Sequence, residues 1–152
     1  MHLRIFHSQV ADIVTQGEIF SIVAENSNLI ITEFSIYLGE FKEAGLLRIA
    51  NPQALEIYKM KISDISTDTV LVSVDKNPTT QPLTKKIALE DVIISEAAGL
   101  YGSFLQLSAC PKFMRWSNIS NGYNSFGKIN IECPDTKFVL ANQRYPQAKL
   151  LL

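Results

Sequence analysis

The sequence predicts an α+β fold, with one N-terminal amphipathic helix packed on an antiparallel β-sheet. Apolar residues recur at three- and four-residue spacing over the first 25 positions, which is the helical period. The remainder is a series of short segments rich in β-branched and aromatic residues, set apart by Asn, Asp, Ser, Pro and Gly. A helix followed by a run of strands favours segregated α and β layers. The length of 152 residues and the absence of an internal composition break fit a single globular domain over 1–152.

The predicted helix runs from Leu3 to Glu25, with Phe6, Val10, Ile13, Val14, Gly17 and Phe20 on its apolar face. Asn26, Ser27 and Asn28 supply its stop. LIITEFSIYL (Leu29 to Leu38) reads as the first strand, and LLRIAN, ahead of Pro52, as a short second one. ALEIYKMKISDI alternates, which predicts Tyr58, Met60 and Ile62 on one face and Lys59 and Lys61 on the other. The turn STD then returns the chain through TVLVSVDK, so these two segments form an antiparallel hairpin. NPTTQPLT is a loop, and KKIALEDVIIS and FLQLSA are further strands. MRWSNISNGYNSF reads as loop, followed by a closing pair, GKINIEC and KFVLANQRY, about the turn PDT. No internal repeat stands out.

Charge names no partner: 14 basic and 15 acidic residues leave −1. The distribution is uneven, at +4 from Pro111 to Leu152 and −5 over the first 110 residues. In the basic third, Lys128, Lys137, Arg144 and Lys149, with Tyr123, Phe126 and Tyr145 between them, form a candidate surface for DNA or another partner. The plainer reading, aromatic packing with lysines blunting an edge strand, outweighs it. The two cysteines, Cys110 and Cys133, fit either buried free thiols, which a domain of this size favours, or one disulfide.

No apolar run is long enough to span a bilayer, and no signal-peptide layout is visible. The abrupt start, MHLRIFHSQ, fits a native beginning or a methionine placed after a removed anchor. Catalytic signatures are missing: His2 and His7 are five residues apart, off the spacing of paired helical ligands, and no nucleophile elbow or phosphate loop occurs. Asp64 and Asp68 flank a turn, and Glu90 and Asp91 are adjacent, so neither pair resembles an acid–base couple. The expectation is a non-enzyme with no metal and no cofactor.

The order of leading helix, IALEDVIIS, a loop, GKINIE and a last strand ending in Arg144 resembles the minor pseudopilins and minor pilins of type II secretion, type IV pilus and competence systems. The H-type secretion pseudopilin is the nearest kind. Gln143 stands where that family closes with glycine, and the family's apolar N-terminal helix is missing. The resemblance implies a structural assembly role, with other pilin-type subunits and in some members DNA as partners, and with Phe6, Val10, Ile13 and Phe20 on the assembly face of the helix. It also implies an inner-membrane anchor and a periplasmic or cell-surface location. The alternative is a stand-alone cytoplasmic α+β binding module, of inhibitor or immunity type, that grips a partner with a sheet face or edge.

Overall fold

A computed structural model describes residues 2–16, 18–43, 45–67, 70–75, 84–98, 103–121 and 135–141 of the chain. The elements are β1 (His2–Thr15), β2 (Phe20–Val23), β3 (Asn28–Phe41), β4 (Leu47–Ala50), β5 (Ala54–Thr67), β6 (Val70–Asp75), β7 (Lys86–Ala98), β8 (Ser103–Leu107), β9 (Phe113–Asn121) and β10 (Lys137–Ala141). They form a six-stranded sheet, ordered β1-β3-β5-β7-β9-β10, and a four-stranded sheet, ordered β2-β4-β6-β8. Every strand pairing in both sheets is parallel. From β1 to β9 the chain alternates between the sheets and winds as a β-solenoid-like coil, each turn of which is one rung.

The expected α+β architecture is therefore overturned. Residues His2–Thr15 are a strand, not a helix, and no helix forms among the described residues. The segments ALEIYKMKISDI and TVLVSVD are not a hairpin, because β5 pairs with β3 and β7 while β6 pairs with β4 and β8 in the other sheet. MRWSNISN, read as loop, is the body of β9. The resemblance to minor pilins and pseudopilins falls with the fold, since it requires a leading helix on an antiparallel sheet. The closing segment GKINIEC and the ends of KFVLANQRY lie outside the described residues.

The repeat is present but disguised. His2, Asn28, Ala54, Lys86, Phe113 and Lys137 stand in one register, 26, 26, 32, 27 and 24 residues apart. Above them stack the inward columns Leu29, Leu55, Ile87 and Met114, and Ile31, Ile57, Leu89 and Trp116, all buried. Farther along the strands, Phe34, Met60, Val92 and Ile119 form a third buried column, and Ile36, Ile62 and Ile94 a fourth. Leu47, Ile49, Val72, Val74 and Leu105 from the smaller sheet join the same core. Phe20 meets Phe34 edge-on across the two sheets, at 6.2 Å between ring centroids.

Two stacks of residues in the left-handed region explain the disguise. His7, Glu33, Lys59, Asp91 and Asn118 have φ of 49–57°, as do Asp12, Leu38 and Asp64 in a second stack. Each such residue turns the strand and advances the inward phase by one, as a bulge does. In β3 the buried positions are Leu29, Ile31, Phe34, Ile36, Gly39 and Phe41, alternately two and three apart. The corner at Lys59 likewise puts buried Met60 and Ile62 on the face opposite half-exposed Tyr58, against the single face expected for the three.

Between the long strands a second ladder continues the pairing. Gln53 N–H donates to Ser27 O at 2.9 Å, Lys85 N–H to Gln53 O at 2.8 Å, and Lys112 N–H to Thr84 O at 2.9 Å. The buried Thr84 hydroxyl donates to Pro52 O at 2.9 Å, and the Thr136 hydroxyl to Pro111 O at 2.6 Å. Pro52 and Pro111 stand two residues before β5 and β9, where a missing N–H costs the ladder nothing. The preference for two free thiols also fails: Cys110 is disulfide-bonded, and the chain's other cysteine, Cys133, lies outside the described residues.

Candidate functional site at the open first rung

On the outside of the coil, charges are paired from rung to rung. His7 Nδ1 lies 2.5 Å from Glu33, whose other carboxylate oxygen is 3.7 Å from Lys59 Nζ. Arg48 reaches Asp75 at 2.7 Å and Glu18 at 3.9 Å, tying β4 to β6 and to the residue stretch before β2. This pairing raises the Arg48 pKa, through its hydrogen bond to Asp75 first. Asn118 Nδ2 donates to Asp91 at 2.5 Å. Exposed pairs of this kind are worth about 0–1 kcal/mol each and act mainly on register.

One outer cluster is more enclosed. The Tyr58 hydroxyl donates to the Glu56 carboxylate, which also accepts from Lys86 Nζ at 3.1 Å. Partial burial, and then the Glu56 carboxylate, push the Tyr58 phenol up to about 12. The Tyr58 hydrogen bond, aided by Lys86, holds the Glu56 carboxyl below its ordinary range. The cluster links β5 to β7, with Glu90 and Arg115 near enough to act on the Tyr58 phenol. A shallow recess of about 610 Å³ runs along the second corner, lined by Asp12, Val14, Leu38, Glu40 and Asp64 among others. Among the described residues no group of three or more His, Cys, Asp and Glu side chains is arranged to hold a metal.

The first rung differs from those stacked on it. Within the described sheet β1 has β3 on one side and no strand on the other, so the outward N–H and C=O groups of a 14-residue strand face away from the coil. Its inward residues are incompletely covered. Leu3 is 43% exposed, whereas Leu29 in the same column one rung on is 0% exposed. Ile5, Val10, Ile13, Ile19, Phe20 and Ile22 are only partly buried, although they pack on the core.

Outward positions of this rung are exposed as well. Phe6, Val14 and Val23 are 59%, 69% and 73% exposed. Their partners in the next rung are Thr32, Glu40 and Ala50. The second rung is not polar throughout on its outer face, since Leu38 is 50% exposed and Ile30 and Tyr37 stand opposite Arg4 and Ala11. Phe6 and Val14 lie apart on β1 and Val23 lies in the other sheet, so the exposed apolar area is spread along the rung.

The residues expected to form an assembly face on a helix are divided by the strand geometry. Phe6 points outward, Val10 and Ile13 inward, and Phe20 belongs to the other sheet. All four nevertheless belong to the open rung. Of the candidate basic contacts, Lys137 is exposed at the start of β10, while Lys128, Arg144 and Lys149 lie outside the described residues. The inward columns around the rung could have been found from Leu-x-Ile at Leu3, Leu29 and Leu55, which recurs every 26 residues. No membrane-crossing length of apolar helix occurs among the described residues. No family model matches this chain, and neither the curated proteins nor the solved structures compared with it yield a match.

Proposed function

We propose that this chain is a non-catalytic structural or interaction protein, which works by accepting a protein partner on its open first rung. The carrying observation is the apolar exposure on that rung, where Phe6, Val14 and Val23 are 59%, 69% and 73% exposed. The β1 edge supplies backbone hydrogen bonds for an added strand, and the partly covered Leu3, Ile5 and Ile13 supply apolar area. Backbone pairing gives affinity, and the outward residues give selectivity. No step of chemistry is needed, and the outer charge pairs serve register.

The test compares the full chain with the variant Phe6→Ser, Val14→Lys, Val23→Ser, in native extracts and after purification. The wild-type chain elutes as a larger species by gel filtration and the variant as a monomer, with equal melting temperatures because all three side chains are exposed. Identical elution of the two would overturn the proposal.

A further inference from the structure

We infer that a strip of basic side chains on the outer face of β7, β9 and β10 binds single-stranded nucleic acid, with phosphates on the cations and a base against Phe113. The strip lies three rungs and more from β1, so the inference does not depend on what docks at the open rung.

The strip is assembled by register. Lys85 and Lys112 each stand one residue before their strands, β7 and β9, and Lys86, Phe113 and Lys137 share the column that follows. Backbone bonds hold the levels in step: Phe113 N–H donates to Lys85 O at 3.0 Å, and Lys137 N–H to Lys112 O at 3.1 Å. Arg115 lies two residues beyond Phe113 on β9, past buried Met114, and so on the same outward side. Adjacent strands are about 4.8 Å apart, which sets the backbones of Lys86 and Lys137 about 10 Å apart with Phe113 between them. Of the basic residues that the sequence marks for a nucleic-acid surface, only Lys137 belongs to this strip as described. The coil brings the other four cations to it from two separate segments.

The charge of the strip is left open, whereas charges elsewhere on the coil are paired. Lys42, Arg48 and Lys59 each meet a carboxylate. In the strip only Lys86 does so, through Glu56, which it shares with Tyr58. Lys85, Lys112, Arg115 and Lys137 are exposed, and among the described residues none of the four has an ion-pair partner. Glu90 and Asp135 border the strip without pairing to it. Lys85 and Lys112 stand beside each other on adjacent rungs, like charge next to like. An unneutralised cluster of one sign concentrates counter-ions of the other at that place.

The apolar members select among anions. Phe113 is half-buried between the two lysines of its column, and Val139, the register partner of Arg115, is 38% exposed. Aromatic surface set among cations is the arrangement that holds a single strand, the bases stacking while the phosphates are neutralised. The strip is narrow and lies on a sheet face, with no helix or ribbon beside it to enter a duplex groove. Acidic polysaccharides and anionic bilayers offer the charge without the bases.

The test is fluorescence anisotropy of a labelled DNA single strand of about 20 nucleotides, titrated with the full chain over a salt series. Binding is expected at low salt, with log K falling against log salt at a slope of about −3, as four neutralised phosphates require. Gln at Lys85, Lys112, Arg115 and Lys137 together should weaken binding about tenfold or more and remove most of the slope, and Lys112→Gln alone should reduce the slope by about 0.7. Phe113→Leu, which keeps an apolar side chain, should weaken binding about fivefold or more at unchanged slope. Arg4→Gln with Lys61→Gln, outside the strip, should leave binding within about twofold. The four charged positions make no ion pairs, so the fourfold variant should melt no lower than the wild-type chain, and retained binding by it would overturn the inference. Absence of binding at low salt would do the same. Equal retention of heparin, or of vesicles rich in phosphatidylserine, together with indifference to Phe113→Leu, would mark a general anion surface and overturn nucleic acid as its partner.

Discussion

At the scale of single residues, the left-handed corners are where this chain departs most from ordinary strand chemistry. Asn and Asp adopt this conformation more readily than other non-glycine residues, whereas Leu38 sits there at φ 56° with half its side chain exposed. Leu38→Asn is therefore expected to raise stability by about 0.5–1 kcal/mol in chemical denaturation. Replacing Lys59 by Ile, a β-branched residue at φ 55°, should lower it by about 1 kcal/mol or more.

The Tyr58–Glu56 contact gives a pH dependence at both ends. Tyr58 is held near 12 against an ordinary value of 10.0, so its contribution is complete below pH 10 and is lost as pH rises from there towards 12. Glu56 is depressed from 4.5, so its contribution is present above that pH and is lost as pH falls through its folded value. Tyr58→Phe should flatten both limbs of a melting temperature versus pH profile. An unchanged alkaline limb would show that the phenol does not set it.

At the scale of elements, a rung is held by what lies above and below it. Ile57 sits in the middle of its column, flanked by Ile31 and Leu89 and without exposed surface. Ile57→Ala should cost about 2–5 kcal/mol, because rigid parallel ladders on both sides limit collapse into the cavity. Cys110→Ser should cost about 3 kcal/mol if the loop between the chain's two cysteines is what its disulfide closes. Equilibrium unfolding in urea checks both, with the wild-type protein under reducing conditions as comparison for the second.

At the scale of the whole molecule, a coil whose rungs touch only their neighbours is nearly one-dimensional. Its ends should open before its middle, so amides of β5 and β7 are expected to exchange most slowly and those of β1 fastest. Uniform exchange along the coil would contradict this order.

Much of the strand content is legible from composition: β3, β4, β5, β6, β7 and β8 fall on segments that read as extended. The first strand reads as a helix because two corners, at His7 and Asp12, space Ile5, Ser8, Val10 and Ile13 in alternating twos and threes. Over a short window, that rhythm is close to the helical one. The assembly face of Phe6, Val10, Ile13 and Phe20 is implied by the resemblance on a helix, and the strand geometry divides those residues between outward, inward and the other sheet. Nothing in β9 marks Trp116 as core, since Arg115, Asn118 and Asn121 around it read as loop.

By itself, the sequence determined which residues would seek the interior and that extended structure would dominate after residue 28, because side-chain size and branching act locally. Only the tertiary structure decided that the strands run parallel, that the first segment is one of them, and that Phe6, Val14 and Val23 stand exposed on the first rung. These depend on stacking residues 26 positions apart, where the burial of Leu29 against Leu55 and the phase set by each corner outweigh local preference.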